Sequence, residues 1–137
     1  MNSRRSATTI DELIHAFFGA FDNRNGRLPT CAEIEALFVA DAVILQGAQR
    51  EMKRMTVAEF AEPRVRLLTS GALKEFHEWE TSNTTSEHGK FAVRISAYSK
   101  SGTLDSKPYG GRGTKLFQLA LMEDGWRIVS LCWFDHD

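Results

Sequence analysis

Apolar residues in the N-terminal half of the chain recur at helical spacing, which predicts three helices. Counting from Ile10, apolar side chains fall at i, i+3, i+4, i+7, i+8 and i+11 and form one stripe on a helix surface. Thr9 and Glu12 have the spacing of a capping box, and the same threonine–glutamate spacing recurs at Thr30 and Thr56. Pro63 has no backbone donor, so we expect it to kink or interrupt the third helix.

Beyond Gly71 the pattern changes to extended runs rich in aromatic and β-branched residues, which are typical of strands. Asp124-Gly125 is a strong hairpin signal, and the glycine-rich segment 101–113 is interpreted as a mobile hairpin loop at the rim of a pocket. A shorter strand is expected between the second and third helices. Because helices precede hairpin-linked strands, we predict an α+β fold with three helices packed on a curved, mixed or antiparallel sheet. The predicted strands are 42–46, 73–85, 90–100, 112–123 and 126–135.

Period-two alternation along the last two strands makes both faces of the predicted sheet substantially apolar. Phe117 and Trp133 lie on one face, and Leu116 and Met122 lie on the other. Helices can cover only one of these faces. We therefore predict a homodimer through the outer sheet face, with Tyr98 also on that face.

If Phe117 and Trp133 point inward, the first long strand supplies a candidate acid or base. Histidine is the residue type whose unperturbed pKa lies closest to neutral pH, which makes His77 the candidate, and a carboxylate such as Asp135 or Glu75 would fix its tautomer. A single histidine on a strand is more often structural or solvated, so this catalytic pair has a simpler alternative. In this arrangement Glu75, His77 and Trp79 point inward, whereas Phe76, Glu78 and Glu80 point outward.

Composition narrows the class of protein without identifying an activity. The 137 residues fit one domain, 1–137, in which we expect residues 1–8 to be flexible. Seventeen basic and 18 acidic residues give no cationic field for nucleic acid, and no apolar run is long enough to span a membrane. The acidic residues near the start do not suit a secretory signal, so a cytoplasmic location is expected. Cys31 and Cys132 are interpreted as reduced, and the histidines and cysteines show no metal-ligand spacing, so neither a metal nor a cofactor is predicted.

The order of elements, with LFVADAVI after the second helix and DGWRIVSLCWF in the last strand, resembles the nuclear transport factor 2-like superfamily over nearly the whole chain. The resemblance implies a cystatin-like cone with a pocket. Within the superfamily, the chain is similar to the polyketide cyclase (SnoaL-like) and steroid isomerase branch. The positions matching the aspartate base and the oxyanion-binding tyrosine of steroid isomerases carry Gln46, or its neighbour Leu45, and Phe17. The second donor would fall at Phe117 or Gln118. A glutamine amide cannot abstract a proton from carbon and phenylalanine offers no donor to an oxyanion, so classical steroid isomerisation is not expected.

Three functions remain open at this point. The first is binding of a hydrophobic or ring-bearing small molecule in an apolar, aromatic-lined pocket. The second is an isomerase, cyclase or dehydratase that needs no cofactor and uses His77 with Asp135. The third is a dimeric interaction module without chemistry, which acts through its sheet face and does not use the cavity. Independently of these functions, the aromatic residues could also fill the cone solidly. The candidate pocket residues are Phe17, Phe21, Leu45, Gln46, Trp79, Phe117 and Trp133.

Overall fold

The first helix begins where the capping box predicts. A computed structural model describes residues 7–48 and 50–136, and in it Thr9 and Thr56 each accept a hydrogen bond from the backbone of the glutamate three residues later. The carboxylate of each glutamate in turn accepts a hydrogen bond from the backbone amide of the same threonine. These bonds satisfy donors that the first helical turn leaves free. The third helix continues through Pro63, so the expected interruption does not occur. The helices are α1, Ile10–Gly19; α2, Cys31–Glu35; and α3, Val57–Thr69.

Six strands form one mixed sheet in the order β2-β1-β6-β5-β4-β3. The four long strands make the predicted antiparallel meander, while β1 pairs parallel with β6 and antiparallel with β2. The sequence analysis missed β2, a four-residue edge strand with two central cations. The strands are β1, Phe38–Gly47; β2, Met52–Met55; β3, Leu73–His88; β4, Phe91–Leu104; β5, Lys107–Met122; and β6, Gly125–His136.

The predicted loop at 101–113 is wrong, because this segment is strand apart from a two-residue turn. Leu104 pairs directly with Lys107, and the intervening Asp105 and Ser106 have φ values of 48° and 70°. Positive φ at both central residues gives the turn a twist that matches the flanking strands. The glycines that suggested a mobile loop instead lie within β5, where neighbouring residues approach closely.

The predicted orientation of β3 is also wrong. Residues opposite each other in a sheet share a face, and Glu80 lies opposite the buried Tyr98, whereas His77 lies opposite Ser101. Tyr98 is 1% exposed and belongs to the helix-covered face, not to the outer face. The inward glutamates are each paired with a cation from another strand. Glu80 pairs with Arg94 of the neighbouring β4, and Glu78 pairs with Lys115 of β5, two strands away. The inward residues of β3 are Phe76, Glu78 and Glu80, and the outward residues include His77 and Trp79.

Two polar contacts hold the helical layer to the sheet. The buried Asn23 side chain donates to the carbonyls of Leu68 and Leu73 and accepts from the Phe76 amide, at 2.7–2.9 Å. Arg94, 4% exposed, forms an ion pair at 2.6 Å with Asp11 of α1. These bonds join α1 and the end of α3 to strands β3 and β4 of the sheet.

Of the N-terminal residues expected to be flexible, 1–6 lie outside the described part of the chain. The Ala7 carbonyl accepts a hydrogen bond of 2.9 Å from the Trp126 amide, so this residue is joined to β6. No helix within 7–48 or 50–136 has the length and apolar character needed to cross a membrane.

Candidate functional site

A cavity of about 300 Å³ lies between α1, α3 and the inner face of the sheet. Its volume is at the lower end of the usual range of about 300–1,000 Å³ for small-molecule sites. Phe60 and Trp133, with ring centres 5.5 Å apart, form one wall, and Phe17 contributes to another. The lining residues are Phe17, Phe21, Gln46, Phe60, Pro63, Arg64, Leu67, Leu68, Leu73, Phe76, Glu78, Tyr98, Lys100, Tyr109, Lys115, Trp133 and Asp135.

Lys115 places a buried amine on the sheet side of this cavity. Its Nζ lies 4.0 Å from the centre of the Tyr98 ring, 5.3 Å from that of Trp133 and 5.9 Å from that of Phe17. Desolvation lowers the pKa of the Lys115 amine, although the nearby Glu78 carboxylate opposes this shift. Lys115 Nζ and Glu78 Oε1 are 3.4 Å apart, which is close enough for an ion pair.

The Lys115–Glu78 contact is not aligned as a hydrogen bond. Glu78 Oε1 is buried and has no hydrogen-bond partner among the described residues. A buried carboxylate oxygen without a donor is unusual and costs free energy. Because Glu78 lines the cavity, a donor group on a bound molecule could satisfy it.

Tyr98 and Asp135 meet across an intervening strand because the residue between them is Gly113. Gly113 pairs with both of them in the sheet, and a side chain there would overlap the Tyr98 ring. The Tyr98 hydroxyl donates to Asp135 Oδ1, and Lys100 Nζ lies 3.2 Å from Asp135 Oδ2. Burial alone would raise the pKa of Asp135, but the hydrogen bond from Tyr98 and the charge of Lys100 lower it overall. Burial and the same bond raise the pKa of Tyr98 far above its usual value.

Arg64 is a cavity-lining cation with no ion-pair partner in the described part of the chain. Its guanidinium carbon lies 4.4 Å from the centre of the Phe60 ring and 5.1 Å from that of Trp133. One guanidinium nitrogen donates to the Phe60 carbonyl at 3.0 Å. Desolvation lowers the pKa of Arg64, yet a guanidinium stays charged at physiological pH. The remaining donors of this planar group are free to bind an acceptor.

The lining is therefore more highly charged than the apolar, aromatic-lined pocket that the sequence predicts. Three cations, Arg64, Lys100 and Lys115, share the cavity with two carboxylates, Glu78 and Asp135. The excess of one positive charge favours a ligand with an anionic group.

The structure does not bring His77 and Asp135 together. Asp135 lines the cavity, whereas His77 stacks on Trp79, with ring centres 4.4 Å apart, beside a separate depression between α1 and β3. The register places His77 and Trp79 on the sheet face opposite Tyr98. The catalytic pairing predicted from the sequence is therefore wrong. The second depression contains Arg94 and Glu80, which already bond each other at 2.6 Å.

The other predicted pocket residues fall into two groups. Phe17, Phe21, Gln46 and Trp133 line the cavity. Phe117 is fully buried behind it, with its ring 5.2 Å from that of Phe17, and the half-buried Leu45 is not among the lining residues.

Sequence reasoning missed the charged lining of the cavity. A signal existed for Lys115, because period-two alternation places it on the same face as Phe117. No comparable signal marks Arg64 or Glu78, whose roles depend on how α3 crosses β3. Within the described ranges no cluster of three or more histidine, cysteine or acidic residues could hold a metal ion.

Comparison with known proteins establishes the fold. No family model and no curated protein matches the chain significantly. A nuclear transport factor 2-like superfamily protein from Salmonella enterica serovar Typhimurium matches with a TM-score of 0.73, 15% identity, and coverage of 93% of this chain and 89% of that one. A protein of unknown function with a cystatin-like fold from Nostoc punctiforme matches with a TM-score of 0.67, 12% identity, and 96% coverage of both chains. A nuclear transport factor 2-like protein from Cytophaga hutchinsonii matches with a TM-score of 0.70, 12% identity, and coverage of 99% of this chain and 100% of that one.

The architecture is therefore an α+β cone of the cystatin-like type. The chain has the nuclear transport factor 2-like fold, as the resemblance of its sequence predicts. At 12–15% identity these similarities establish the fold and no activity.

We predict that Gly113→Ala disrupts the contact between Tyr98 and Asp135. The new methyl group would overlap the Tyr98 ring and the Phe134 carbonyl, and such overpacking costs about 1–3 kcal/mol of unfolding free energy. Urea denaturation of both proteins measures this loss. Gly19→Ala is the control, because its added methyl meets nothing within 4 Å. Equal stability of Gly113→Ala and the wild type would contradict the packing described.

We predict that Asp135 stabilises the fold at neutral pH and loses this effect in acid. Its pKa in the folded protein is lower than the unfolded value of about 3.9, so its contribution is present above that value and disappears as the pH falls through the folded pKa. Asp135→Asn should therefore reduce the unfolding free energy more at pH ~7 than at pH ~3. Denaturation at both pH values tests this, with Asp41→Asn as an exposed control. A penalty that grows on acidification would contradict it.

Proposed function

We propose that this protein binds a ring-bearing small molecule with an acidic group in the cavity between its helices and sheet. The observation that carries the proposal is the guanidinium of Arg64, which lies on an aromatic wall and has no ion-pair partner within the described ranges. A carboxylate can accept two parallel hydrogen bonds from a guanidinium, and such charge-assisted bonds are stronger than neutral ones. The rings of Phe60 and Trp133 lie beside this cation and offer flat apolar surface for the body of the ligand.

The other polar groups of the cavity support this orientation of the ligand. Asp135 already interacts with Tyr98 and Lys100 and has the least need of a further partner. Glu78 Oε1 lacks a donor, so a hydroxyl or other donor elsewhere on the ligand would find an acceptor there. The cavity thus combines a cationic group for an acid with an acceptor for a second polar substituent.

We predict that 2-naphthoate raises the melting temperature of the protein more than the neutral analogue 2-naphthalenemethanol does. Arg64→Met keeps an apolar side chain over the rings but removes the charge, and it should weaken 2-naphthoate binding about tenfold, equivalent to ~1.4 kcal/mol. Titration calorimetry measures the dissociation constants, and thermal shift gives independent support.

Arg66→Met is the matched control, since Arg66 is exposed on the same helix and does not line the cavity. It should leave binding unchanged. Equal binding of the acid and the alcohol, or equal weakening by the two arginine substitutions, would contradict the proposed role of Arg64. A wild-type protein that bound neither compound would contradict the proposal as a whole.

We further propose that the outer sheet face forms a homodimer. Ile95, Leu116 and Cys132 are direct neighbours across β4, β5 and β6, and Ile95 and Leu116 are 42% and 39% exposed. Val93 and Phe134 extend the same exposed apolar patch. Patches of this kind often mark protein interfaces.

We predict a dimer of the wild-type chain in light scattering and a monomer after Ile95→Glu, because the substitution places a charge in the centre of the patch. Lys90→Glu, on the turn between β3 and β4, should leave the dimer intact. A monomeric wild type at micromolar concentration would refute this interface.

A further inference from the structure

The side chain of Lys115 is more deeply buried than that of Lys100, the other lysine of the cavity, at 7% against 14% exposed. Desolvation lowers the pKa of the Lys115 amine, whereas for Lys100 desolvation is outweighed by the charges of its neighbours, including Tyr109 and Asp135, which raise the pKa. Lys115 lies among three aromatic rings and, among the described residues, makes its only ion pair at 3.4 Å with Glu78. The two amines therefore have different surroundings although they share one cavity.

Glu78 supplies the proton acceptor that an amine nucleophile requires. Its Oε1 is the nearest carboxylate oxygen to Lys115 Nζ and has no hydrogen-bond partner within the described ranges, so it is available to take a proton from the ammonium group. The proton would move across the 3.4 Å that separates Lys115 Nζ from Glu78 Oε1, and both residues line the same cavity. Lysines that are desolvated beside a proton acceptor are suited to nucleophilic attack on carbonyl compounds.

We propose that Lys115 forms an imine with an aldehyde or ketone carbonyl of a ring-bearing molecule bound in the cavity. The ammonium group first gives a proton to Glu78, and the nitrogen lone pair attacks the carbonyl carbon. A C–N bond forms while the carbonyl electron pair moves to oxygen, which takes the proton from the Glu78 carboxyl group. The nitrogen then loses a second proton to the Glu78 carboxylate. Glu78 returns this proton to the hydroxyl group, which leaves as water while the nitrogen lone pair forms the C=N bond. The products are a protonated C=N bond and one water molecule, so charge and atoms balance.

This inference builds on the proposed small-molecule function and adds the carbonyl group to the class of ligand. Arg64 and Lys115 both lie beside Trp133, with the guanidinium carbon 5.1 Å and the amine 5.3 Å from the centre of its ring. A single aromatic molecule with an acid group and a carbonyl group could therefore contact both. The inferred ligand is an aromatic aldehyde acid or keto acid.

Reductive trapping tests the inference. The protein is incubated at pH ~7 with 4-formylbenzoate and sodium cyanoborohydride, which reduces an imine to a stable amine, and the modified residue is located by peptide mass spectrometry. Ordinary lysines, with pKa values near 10.4, are almost fully protonated at this pH and react slowly. We expect one 4-carboxybenzyl group per chain at Lys115, with at least tenfold less label at Lys100. Glu78→Gln should slow the labelling of Lys115.

Lys115→Arg keeps the positive charge for folding and should abolish the adduct. Thermal shift with 2-naphthoate, which has no carbonyl group for imine formation, is measured on both proteins. Adduct on Lys100 or spread evenly over surface lysines, or no adduct at all, would overturn the inference. If 2-naphthoate binds but Lys115 is not labelled, imine formation is wrong and the binding function stands. If Lys115 is labelled but 2-naphthoate does not bind, the imine stands and the acid site at Arg64 is wrong.

Discussion

The ion pair between Lys115 and Glu78 is the interaction on which the character of the cavity depends. Two charged side chains in a confined aromatic space each lose hydration, and their mutual attraction repays this cost only if the remaining polar atoms are satisfied. Here the contact is 3.4 Å, and Glu78 Oε1 has no hydrogen-bond donor among residues 7–48 and 50–136. The charged pair maintains polar groups next to space that a ligand can occupy.

The charged side chains between the helices and the sheet fall into two groups. Those that already have polar partners in the protein serve the structure, and those that lack such partners are the candidates for binding a ligand. Arg94 is held by Glu80 and Asp11, and these bonds join the first helix to the sheet. Asp135 is similarly occupied by Tyr98 and Lys100. Arg64, in contrast, has one hydrogen bond to a backbone carbonyl and no ion pair in the described part of the chain. A ligand gains most by contacting the groups that the protein itself leaves unsatisfied.

Much of the fold follows from local sequence signals, because each signal has a local physical cause. The capping boxes at Thr9 and Thr56 set the starts of helices, and Asp124-Gly125 joins the last two strands as predicted. The errors concern properties that depend on partners distant in sequence. Glycines at 110, 111 and 113 suggested a loop, but Gly113 is needed inside a strand where the Tyr98 side chain passes over it. Alternation along the strand assigns Glu78 to the outward face, and only the sheet register shows that it meets Lys115.

The sequence therefore predicts the aromatic part of the site and two of its polar residues, Gln46 and Asp135, but not its cations. Phe17, Phe21 and Trp133 follow from amphipathic patterns, whereas Arg64 reaches the cavity from a helix whose position over the sheet depends on tertiary contacts. A crystal structure of the protein with 2-naphthoate would test the central claim most directly. The carboxylate should lie within hydrogen-bonding distance of the Arg64 guanidinium, with the rings against Phe60 and Trp133. A cavity filled by protein side chains, or a ligand bound with its carboxylate away from Arg64, would contradict it.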